Sequence, residues 1–475
     1  EYDWIKFNEG WYHADRKRPG RIRPFAFSAS LREEHFKKII MQNKKSYIGP
    51  QEIIRKKNEF MIPCVYHFYQ DPVQMVRGEG QYVFDHTGKK YLDFYAGVSV
   101  LNAGHCHPEI VDKICEQVKT LQHTTTIYLT QPIVDLAERL AQVTPRNLRK
   151  SFFCASGSEA NEGALLLSQL YTGKHEFLSL YNGLHGRTKL TMSVTGLKFW
   201  RTDTNPVGGI SFVPNAYCYR CVFKLEYPDC NLECARQIEK VIETSTSGEI
   251  AAFIAEPIQG NGGIITPPDE YFKVVKEILD KYGILFITDE IQTGFGRTGK
   301  MFAIEHSGVE PDIMTFAKAI SNGTPVGGFI TSDKIASSYK RPGASTFGGN
   351  PVTSVSALAT LDVINKYNLV DNAKTMGEYL KEKLKELQGK YALIGDVRGR
   401  GLMLGAELVN QGKEPAVQET DAILEYMKDK GVLIGKTGSN RNVLAFQPPL
   451  IIDKDNIDEL TDVLDGALNY VEERK

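Results

Sequence analysis

From Ser151 onward, short apolar segments alternate with amphipathic stretches of helical periodicity. The apolar segments read SFFCAS, EFLSL, AAFIAEPI, GILFITDEI and DIMTFA. Continuous apolar runs of this length are typical of parallel strands buried on both faces, and the helices between them supply the crossover connections. The alternation therefore predicts an α/β fold with a mostly parallel sheet flanked by helices, in a large domain spanning residues 105–368.

The segments on either side of this region follow a different pattern. Near the N-terminus, the segments YVFD and KYLDF flank a turn that contains Gly88, which predicts a hairpin of short strands. Beyond Leu369, helical and strand segments include MGEYLKEKLKEL, GLMLGAEL and NVLAFQPPLII. We expect residues 47–104 and 369–475 to form a smaller α+β domain together.

Residues 1–46 are predicted to be an N-terminal extension outside the main fold. They contain the turn-rich stretch RKRPGRIRP and several aromatic side chains. Aromatic side chains are costly to leave in water, which favours packing of the extension on its own body or on a second subunit. A disordered arm is the alternative interpretation.

The charge balance argues against several classes of partner. The chain has 475 residues with 57 Lys+Arg against 58 Asp+Glu, so no bulk field attracts nucleic acid or an anionic membrane. Apolar runs stay well short of the roughly 18 residues that a membrane span needs, and no secretory signal pattern opens the chain. We therefore expect a cytoplasmic protein, with the mitochondrial matrix as the alternative.

The eight cysteines lack the spacing of a small secreted disulfide scaffold. Four occur singly and are predicted to be buried thiols: Cys64, Cys106, Cys115 and Cys154. The other four lie close together in sequence: Cys218, Cys221, Cys230 and Cys234. They could hold a structural metal, although their pairs are closer than in common zinc ribbons. The alternative is a reduced cluster that stabilises a loop, and no catalytic metal is expected.

A turn of small residues precedes one of the predicted helices. The stretch CASGSEANE places Gly157 and Ser158 after a predicted strand and before the helix EGALLLSQL. Backbone amides at the start of a helix are free to bind an anion, and the serine hydroxyl can add a hydrogen bond. The turn is therefore a candidate phosphate-binding site, although such a turn can also cap a helix with no ligand present.

An acidic residue ends another predicted strand. Asp289 follows the apolar run GILFIT, where a lone ionised carboxylate is expensive unless it faces a cation. A protonated pyridine nitrogen is such a cation, and the amide of Gln292, three residues later, can reach a neighbouring ring oxygen. The alternative is that Asp289 caps the next helix.

Lys318 follows the next short apolar strand, 29 residues after Asp289 (318 minus 289). That separation is about one βαβ step, so both side chains should emerge at the same edge of the sheet. A partly desolvated lysine has a lowered pKa, which suits it to form a Schiff base and then to move a proton. A lysine, an acid and an anion-binding turn are what pyridoxal 5′-phosphate (PLP) requires of a protein.

Several motifs together resemble those of one enzyme family. The motifs are SGSEAN, HGRT, AEPIQG, DEIQTGFGRTG, TFGGNP and DVRGRGLMLGAEL. They are similar to motifs of the class III PLP-dependent aminotransferases of fold type I, and the resemblance runs from about Tyr47 to the C-terminus. Within the family, YHFYQDP, GHCHPEIV and LQHTTTIYL are most similar to the alanine–glyoxylate aminotransferase 2-like group and to bacterial omega-amino-acid:pyruvate aminotransferases. The resemblance implies a seven-stranded sheet in the large domain.

The resemblance also implies roles for residues around the cofactor. Lys318 would hold PLP as a Schiff base, and Asp289 would face the ring nitrogen. Gln292 would contact the phenolate oxygen, while Gly157 and Ser158 would bind the phosphate. The remaining residues implied around the cofactor are Glu256, Leu184 and His185.

Further residues are implied for the substrate and for a second subunit. Thr346 would reach across an interface to the phosphate of the neighbouring subunit, which implies a homodimer or a dimer of dimers. Arg187 would bind a substrate carboxylate through its planar guanidinium. Tyr66 and Tyr95 would shape the substrate pocket.

Two departures from the family pattern bear on the keto-acid acceptor. Members that use 2-oxoglutarate commonly have an arginine where this chain has Ala445, and a glutamate where it has Asn261. We therefore expect a ping-pong transfer from an amino acid or omega-amino acid to pyruvate or glyoxylate. The alternatives are a PLP-dependent racemase, epimerase, decarboxylase or lyase of the same fold, or a 2-oxoglutarate-dependent aminotransferase of the 4-aminobutyrate type.

Overall fold

The computed structural model describes residues 47–145 and 147–474 and three strands of the N-terminal segment. Its contacts divide the chain into two units. The smaller unit comprises residues 1–68, 72–75 and 85–88, and the larger unit comprises the rest. Most of the predicted extension, residues 1–46, lies outside the described residues, so the prediction that it packs on a protein surface stays a prediction.

The strands are short and occur along the whole chain. In chain order they are β1 (Trp4–Phe7), β2 (Gly10–His13), β3 (Arg23–Pro24), β4 (Met75–Glu79), β5 (Tyr82–Asp85), β6 (Lys90–Asp93), β7 (Lys150–Cys154), β8 (Glu176–Leu180), β9 (Ile210–Val213), β10 (Ile250–Ala255), β11 (Leu285–Asp289), β12 (Ile313–Phe316), β13 (Gly327–Thr331), β14 (Ile394–Arg400), β15 (Met403–Leu408), β16 (Val432–Leu433), β17 (Gly435–Thr437) and β18 (Val443–Phe446).

Helices occupy most of the segments between the strands. They are α1 (Pro50–Phe60), α2 (Ala96–Ser99), α3 (Pro108–Thr120), α4 (Gln131–Val143), α5 (Gly157–Thr172), α6 (Lys189–Ser193), α7 (Glu233–Ser245), α8 (Tyr271–Tyr282), α9 (Asp333–Ala336), α10 (Pro351–Lys366), α11 (Leu369–Lys390), α12 (Val417–Asp429) and α13 (Lys454–Glu472). Among the described residues, none of the helices has both the length and the apolar character that crossing a membrane requires.

The described residues of the smaller unit form a three-stranded sheet and one helix. Strands β1, β2 and β3 pair in that order, and both pairs are antiparallel. Helix α1 begins with a proline at its first position and buries none of its residues. Proline is favoured there because the first amide of a helix has no intrahelical partner in any case.

A seven-stranded sheet forms the centre of the larger unit, in the order β7-β13-β12-β11-β10-β8-β9. Neighbouring strands pair in parallel except β13, which is antiparallel to both of its neighbours. Strands β10 to β13 consist entirely of buried residues, and α5 packs against all four of them. The predicted α/β fold with a mostly parallel seven-stranded sheet is confirmed.

Two four-stranded sheets use the remaining strands. One has the order β14-β15-β18-β17, and its pairs are antiparallel. The other has the order β16-β6-β5-β4; its antiparallel β5–β6 pair is the predicted hairpin. Because β6 pairs in parallel with β16, segments from both ends of the chain share one sheet. The exact division into residues 47–104, 105–368 and 369–475 stays a prediction.

The cysteines differ in part from the prediction. All are free thiols; Cys154 is buried, whereas Cys64, Cys106 and Cys115 are exposed, so the prediction of burial is wrong for these three. A sulfhydryl is small enough for either environment, and its sequence context does not decide between them. The other four line one small cavity together: Cys218, Cys221, Cys230 and Cys234. Nevertheless, the described residues include no group of three or more Cys, His, Asp or Glu arranged to hold a metal ion.

Candidate active site

A cavity of about 410 Å³ lies where the central strands of the large sheet end. Parallel strands bring their carboxyl ends to one edge, and in open α/β sheets this edge is the usual ligand site. The lining comes from the residues that follow β7, β10, β11 and β12 and from the start of α5. It is formed by Val100, Ala155, Ser156, Gly157, Ser158, Asn161, Leu184, His185, Gly186, Glu256, Asn261, Asp289, Ile291, Gln292, Ala317, Lys318, Gly323, Thr324, Pro325 and Val326.

Lys318 enters the cavity from a strained backbone. It begins a 3₁₀ turn, Lys318–Ser321, directly after β12, and its φ of 52° lies in the left-handed region. A side chain longer than that of asparagine is rare in this conformation, which costs on the order of 1 kcal/mol and is concentrated at functional sites. Burial lowers the pKa of Lys318, while the charges of Asp289 and Glu256 act in the opposite direction. The result is an amine that loses its proton more readily than a solvated lysine.

Asp289, the last residue of β11, is buried at the same cavity. Its Oδ2 accepts hydrogen bonds from Asn161 Nδ2 at 2.7 Å and from His185 Nδ1 at 2.8 Å, while its Oδ1 accepts a 3.2 Å bond from the Ile291 amide. The segment that follows forms turns rather than a helix, so the alternative that Asp289 caps a helix is wrong. A carboxylate held in this way has a lone pair left for a donor in the cavity.

The predicted phosphate-binding turn begins helix α5. Ser156 caps the helix by accepting a hydrogen bond from the Glu159 amide at 3.3 Å, and Gly157 and Ser158 line the cavity. The amide of Arg187 donates to Ser158 Oγ at 3.0 Å. The unpaired amides and the dipole at the start of this 16-residue helix favour an anion at this end of the cavity.

Glu256 and Gln292 brace the walls of the cavity. Glu256 accepts hydrogen bonds from the amides of Leu184 at 2.9 Å and Gly260 at 3.0 Å, and burial raises its pKa to about 7. Gln292 donates to Gln447 Oε1 at 3.3 Å. A Cβ at Gly260 would lie 1.8 Å from the Gln292 amide oxygen, so a larger residue there would displace the Gln292 side chain.

The other predicted site residues differ in position. Leu184 and His185 line the cavity, whereas Arg187 and Thr346 have exposed side chains and do not belong to its lining. Tyr95 packs against a buried apolar cluster: Ile258, Ile264, Met403 and Ala445. Tyr66 belongs to the smaller unit. The structure thus brings Lys318, Asp289 and the helix start together, and the roles of the other residues stay predictions.

Sequence reasoning missed Asn161, which is fully buried, lines the cavity and contacts Asp289. It lies four residues after Gly157, so one helical turn places both on the same face of α5. A large amide among the mostly apolar or small residues on the buried face of α5 is the signal that could have revealed it.

The cavity has the features that PLP needs. The start of α5 suits a phosphate, the carboxylate of Asp289 suits a protonated ring nitrogen, and the amine of Lys318 suits an aldehyde. Three buried polar atoms of lining residues, His185 Nε2, Asn161 Oδ1 and Thr324 Oγ1, have no hydrogen-bond partner in the described part of the protein. Buried polar atoms usually have a partner, so unpaired atoms in a cavity wall are consistent with a bound ligand.

Comparisons with known proteins agree with this geometry. A family model described as aminotransferase class-III matches residues 66–468. The chain is 43% identical over 428 residues to alanine–glyoxylate aminotransferase 2 homolog 2, mitochondrial, of Arabidopsis thaliana, with 89% of each chain covered. It is 38% identical to the leucine/methionine racemase of Thermococcus litoralis, with 89% of this chain and 96% of the relative covered.

A solved structure is also similar. An amine transaminase from an uncultivated Pseudomonas species, described in its PLP-bound form, superposes with a TM-score of 0.82 at 31% identity, covering 87% of this chain and 98% of its own. The resemblance deduced from the motifs and the prediction of PLP as the cofactor are confirmed. The chain belongs to the class III aminotransferase family and is a PLP-dependent aminotransferase.

Proposed function

We propose that the enzyme transfers an amino group from an amino acid or omega-amino acid to a small keto acid, pyruvate or glyoxylate, by a ping-pong mechanism. The observation that carries this proposal is the charge of the cavity. Among the described residues that line it, Lys318 is the one lysine or arginine side chain. A dicarboxylate acceptor would bring two negative charges and would need cations beyond the lysine that takes part in the chemistry.

The chain's own groups divide the work between them. When bound, PLP supplies an electron sink for the substrate carbon and carries the amino group between the two half-reactions. Lys318 would hold the cofactor through Nζ, and when free, Nζ would take up the proton that the donor carbon releases. Asp289 keeps the ring nitrogen protonated, which supplies most of the electrostatic stabilisation.

The remaining site residues position the cofactor and the substrate. Gly157 and Ser158 would bind the phosphate, and Gln292 would donate to the phenolate oxygen. Glu256 supports the walls of the cavity, because its carboxylate accepts hydrogen bonds from the amides of Leu184 and Gly260 and so holds both loops. Leu184 and His185 pack around the ring, while Arg187, Tyr66 and Tyr95 are the candidates for contacts with the substrate.

We further propose a homodimer or a dimer of dimers in which Thr346 contacts the partner subunit's phosphate. Thr346 is exposed, and large apolar side chains elsewhere on the surface are also exposed. The most exposed of these in the larger unit are Ile127, Tyr128, Leu129, Val134 and Phe347. Exposed apolar side chains in such number favour burial against a second copy of the chain.

The cellular location stays a prediction, with the cytoplasm first and the mitochondrial matrix as the alternative. The word mitochondrial in the name of the Arabidopsis relative supports the alternative. The near-zero net charge supports the prediction that nucleic acid and membranes are not partners.

The acceptor can be identified from the second half-reaction alone. Enzyme converted to its aminated form is mixed with pyruvate, glyoxylate or 2-oxoglutarate, and recovery of the original absorbance spectrum of the cofactor is followed. We expect pyruvate or glyoxylate to restore the spectrum at least about 100-fold faster than 2-oxoglutarate, because the second carboxylate of 2-oxoglutarate would be desolvated with no cation beside it. Equal rates would contradict the proposed acceptor class.

A racemase is the second candidate, because the chain is 38% identical to a leucine/methionine racemase over most of its length. A racemase inverts its substrate without a keto acid, whereas an aminotransferase stops after one half-reaction. Incubation of single enantiomers of amino acids with the PLP-loaded enzyme, followed by chiral chromatography, distinguishes the two. Racemisation without an acceptor would support the second candidate.

The amine of Lys318 is expected to react at lower pH than the exposed lysines. Burial lowers the pKa of Lys318, whereas the hydrogen bond with Glu109 raises the pKa of Lys366, so the neutral fraction of Lys318 is larger at any given pH. Brief acetylation of the PLP-free protein at increasing pH, followed by peptide mass spectrometry, should modify Lys318 first. Added PLP should protect Lys318 and leave Lys366 unprotected. Parallel modification of both lysines would show that the cavity does not alter the amine.

A further inference from the structure

Asn161 connects the helix that begins at the phosphate-binding turn to the carboxylate at the other side of the cavity. It lies on α5, and its side chain is fully buried. One hydrogen of its amide is donated to Asp289 Oδ2 at 2.7 Å and the other to the backbone oxygen of His185, also at 2.7 Å. Both donor positions of the amide are therefore used.

The two acceptors of Asn161 belong to one small network. The ring of His185 also donates to Asp289 Oδ2, at 2.8 Å, and the ring is buried. Asn161 thus holds the backbone of His185 in place, and the ring of His185 is the second donor to Asp289 Oδ2. Because both side-chain donors converge on Oδ2, the carboxylate cannot rotate without breaking these two hydrogen bonds. The other oxygen, Oδ1, accepts from the Ile291 amide and keeps a second lone pair for a donor in the cavity.

We propose that Asn161 is a positioning residue that holds Asp289 in the orientation that faces the ring nitrogen of bound PLP. This inference rests on the proposed role of Asp289. The hydrogen bonds from Asn161 and His185 hold Oδ2 in place, so the position of the whole carboxylate depends on Asn161. The geometry explains why an amide, rather than an apolar residue, occupies this buried position on α5.

The variant Asn161→Asp tests the inference with almost no change in volume. It replaces the donating amide with a second buried carboxyl, and two adjacent carboxyls must share a proton. We expect the dissociation constant for PLP, measured by titrating PLP-free protein, to rise on the order of 10- to 100-fold, as for a lost hydrogen bond to a charged group. The visible spectrum of the bound cofactor should also change with pH in a range where the wild-type spectrum is constant.

A matched control separates positioning from stability. Ser168→Ala removes a buried hydroxyl from the same helix; in the wild type this hydroxyl donates to the Leu165 carbonyl. Its PLP affinity and its spectral pH profile should match those of the wild type, whatever its melting temperature. If Asn161→Asp does not fold, the variant Asn161→Ser, which keeps one donor, is measured instead. It should show a smaller rise in the dissociation constant for PLP and a smaller change in the spectral pH profile. Wild-type affinity and pH profile in a folded Asn161 variant would overturn the proposal.

The double variant Asn161→Asp, Asp289→Asn shows whether the two residues act as one unit. If Asn161 acts through Asp289, the double variant should bind PLP less than about twofold more weakly than the single variant Asp289→Asn. Additive losses would overturn the inference. Wild-type PLP binding by Asp289→Asn alone would instead contradict the proposed role of Asp289.

Discussion

Replacing Lys318 with alanine is expected to lower the rate of transamination by at least about 10⁴-fold, because the residue that moves the proton is removed. The variant should also lose covalent attachment of PLP. Borohydride reduction followed by peptide mass spectrometry should leave PLP on the wild-type peptide that contains Lys318 and no PLP on the variant. Initial rates with a saturating donor and keto acid give the loss of activity.

The control for this variant is Lys366→Ala. Lys366 is exposed and forms an ion pair with Glu109, so it belongs to the surface and not to the cavity. Its removal should leave both the rate and the covalent label unchanged, since exposed ion pairs contribute little. Activity of Lys318→Ala within tenfold of the wild type, or PLP attached at another lysine, would refute the assignment of Lys318.

Replacing Asp289 with asparagine is expected to lower kcat/KM by about 10³-fold, the size of effect seen when one preorganised electrostatic group is removed from an active site. Asparagine keeps the shape of the side chain but carries no charge to hold the ring nitrogen protonated. It also presents an amide to Asn161 and His185, which both donate to this position. The rates of the two half-reactions, followed through the cofactor spectrum, measure the effect.

Asp333→Asn is the corresponding control. Asp333 is an exposed carboxylate on α9, 3.6 Å from Lys150, and it lies outside the cavity lining. It should change kcat/KM by less than about twofold. If Asp289→Asn also retained nearly full kcat/KM, the cofactor ring would not depend on this carboxylate and the proposed mechanism would fail.

The sequence predicted the parts of the site that depend on strand direction. Asp289 ends β11 and Lys318 follows β12, and these neighbouring strands are parallel. Their carboxyl ends therefore meet at one edge, which is why a strand-by-strand interpretation placed both residues in one cavity. The same periodicity predicted the large sheet and the hairpin of β5 and β6.

Other features could not be predicted, for physical reasons. Arg187 lies in a loop, where no periodicity fixes the direction of a side chain, and here it is exposed. The prediction for Thr346 involves a second subunit, about which one chain's periodicity says nothing. Asn161 was missed because its contacts, Asp289 and His185, are 128 and 24 residues away in sequence and meet it only in the folded protein.

The pairing of β6 with β16 has a consequence for how the protein forms during synthesis. Leu92 aligns with Val432, so 340 residues (432 minus 92) separate the two partners. A ribosome releases the N-terminus first, and β6 must wait for most of the chain to emerge before its neighbour exists. Contacts between such distant segments form slowly, since a long loop must close first. The seven-stranded sheet, whose strands all lie between these partners, can assemble earlier and serve as the surface on which the ends of the chain meet.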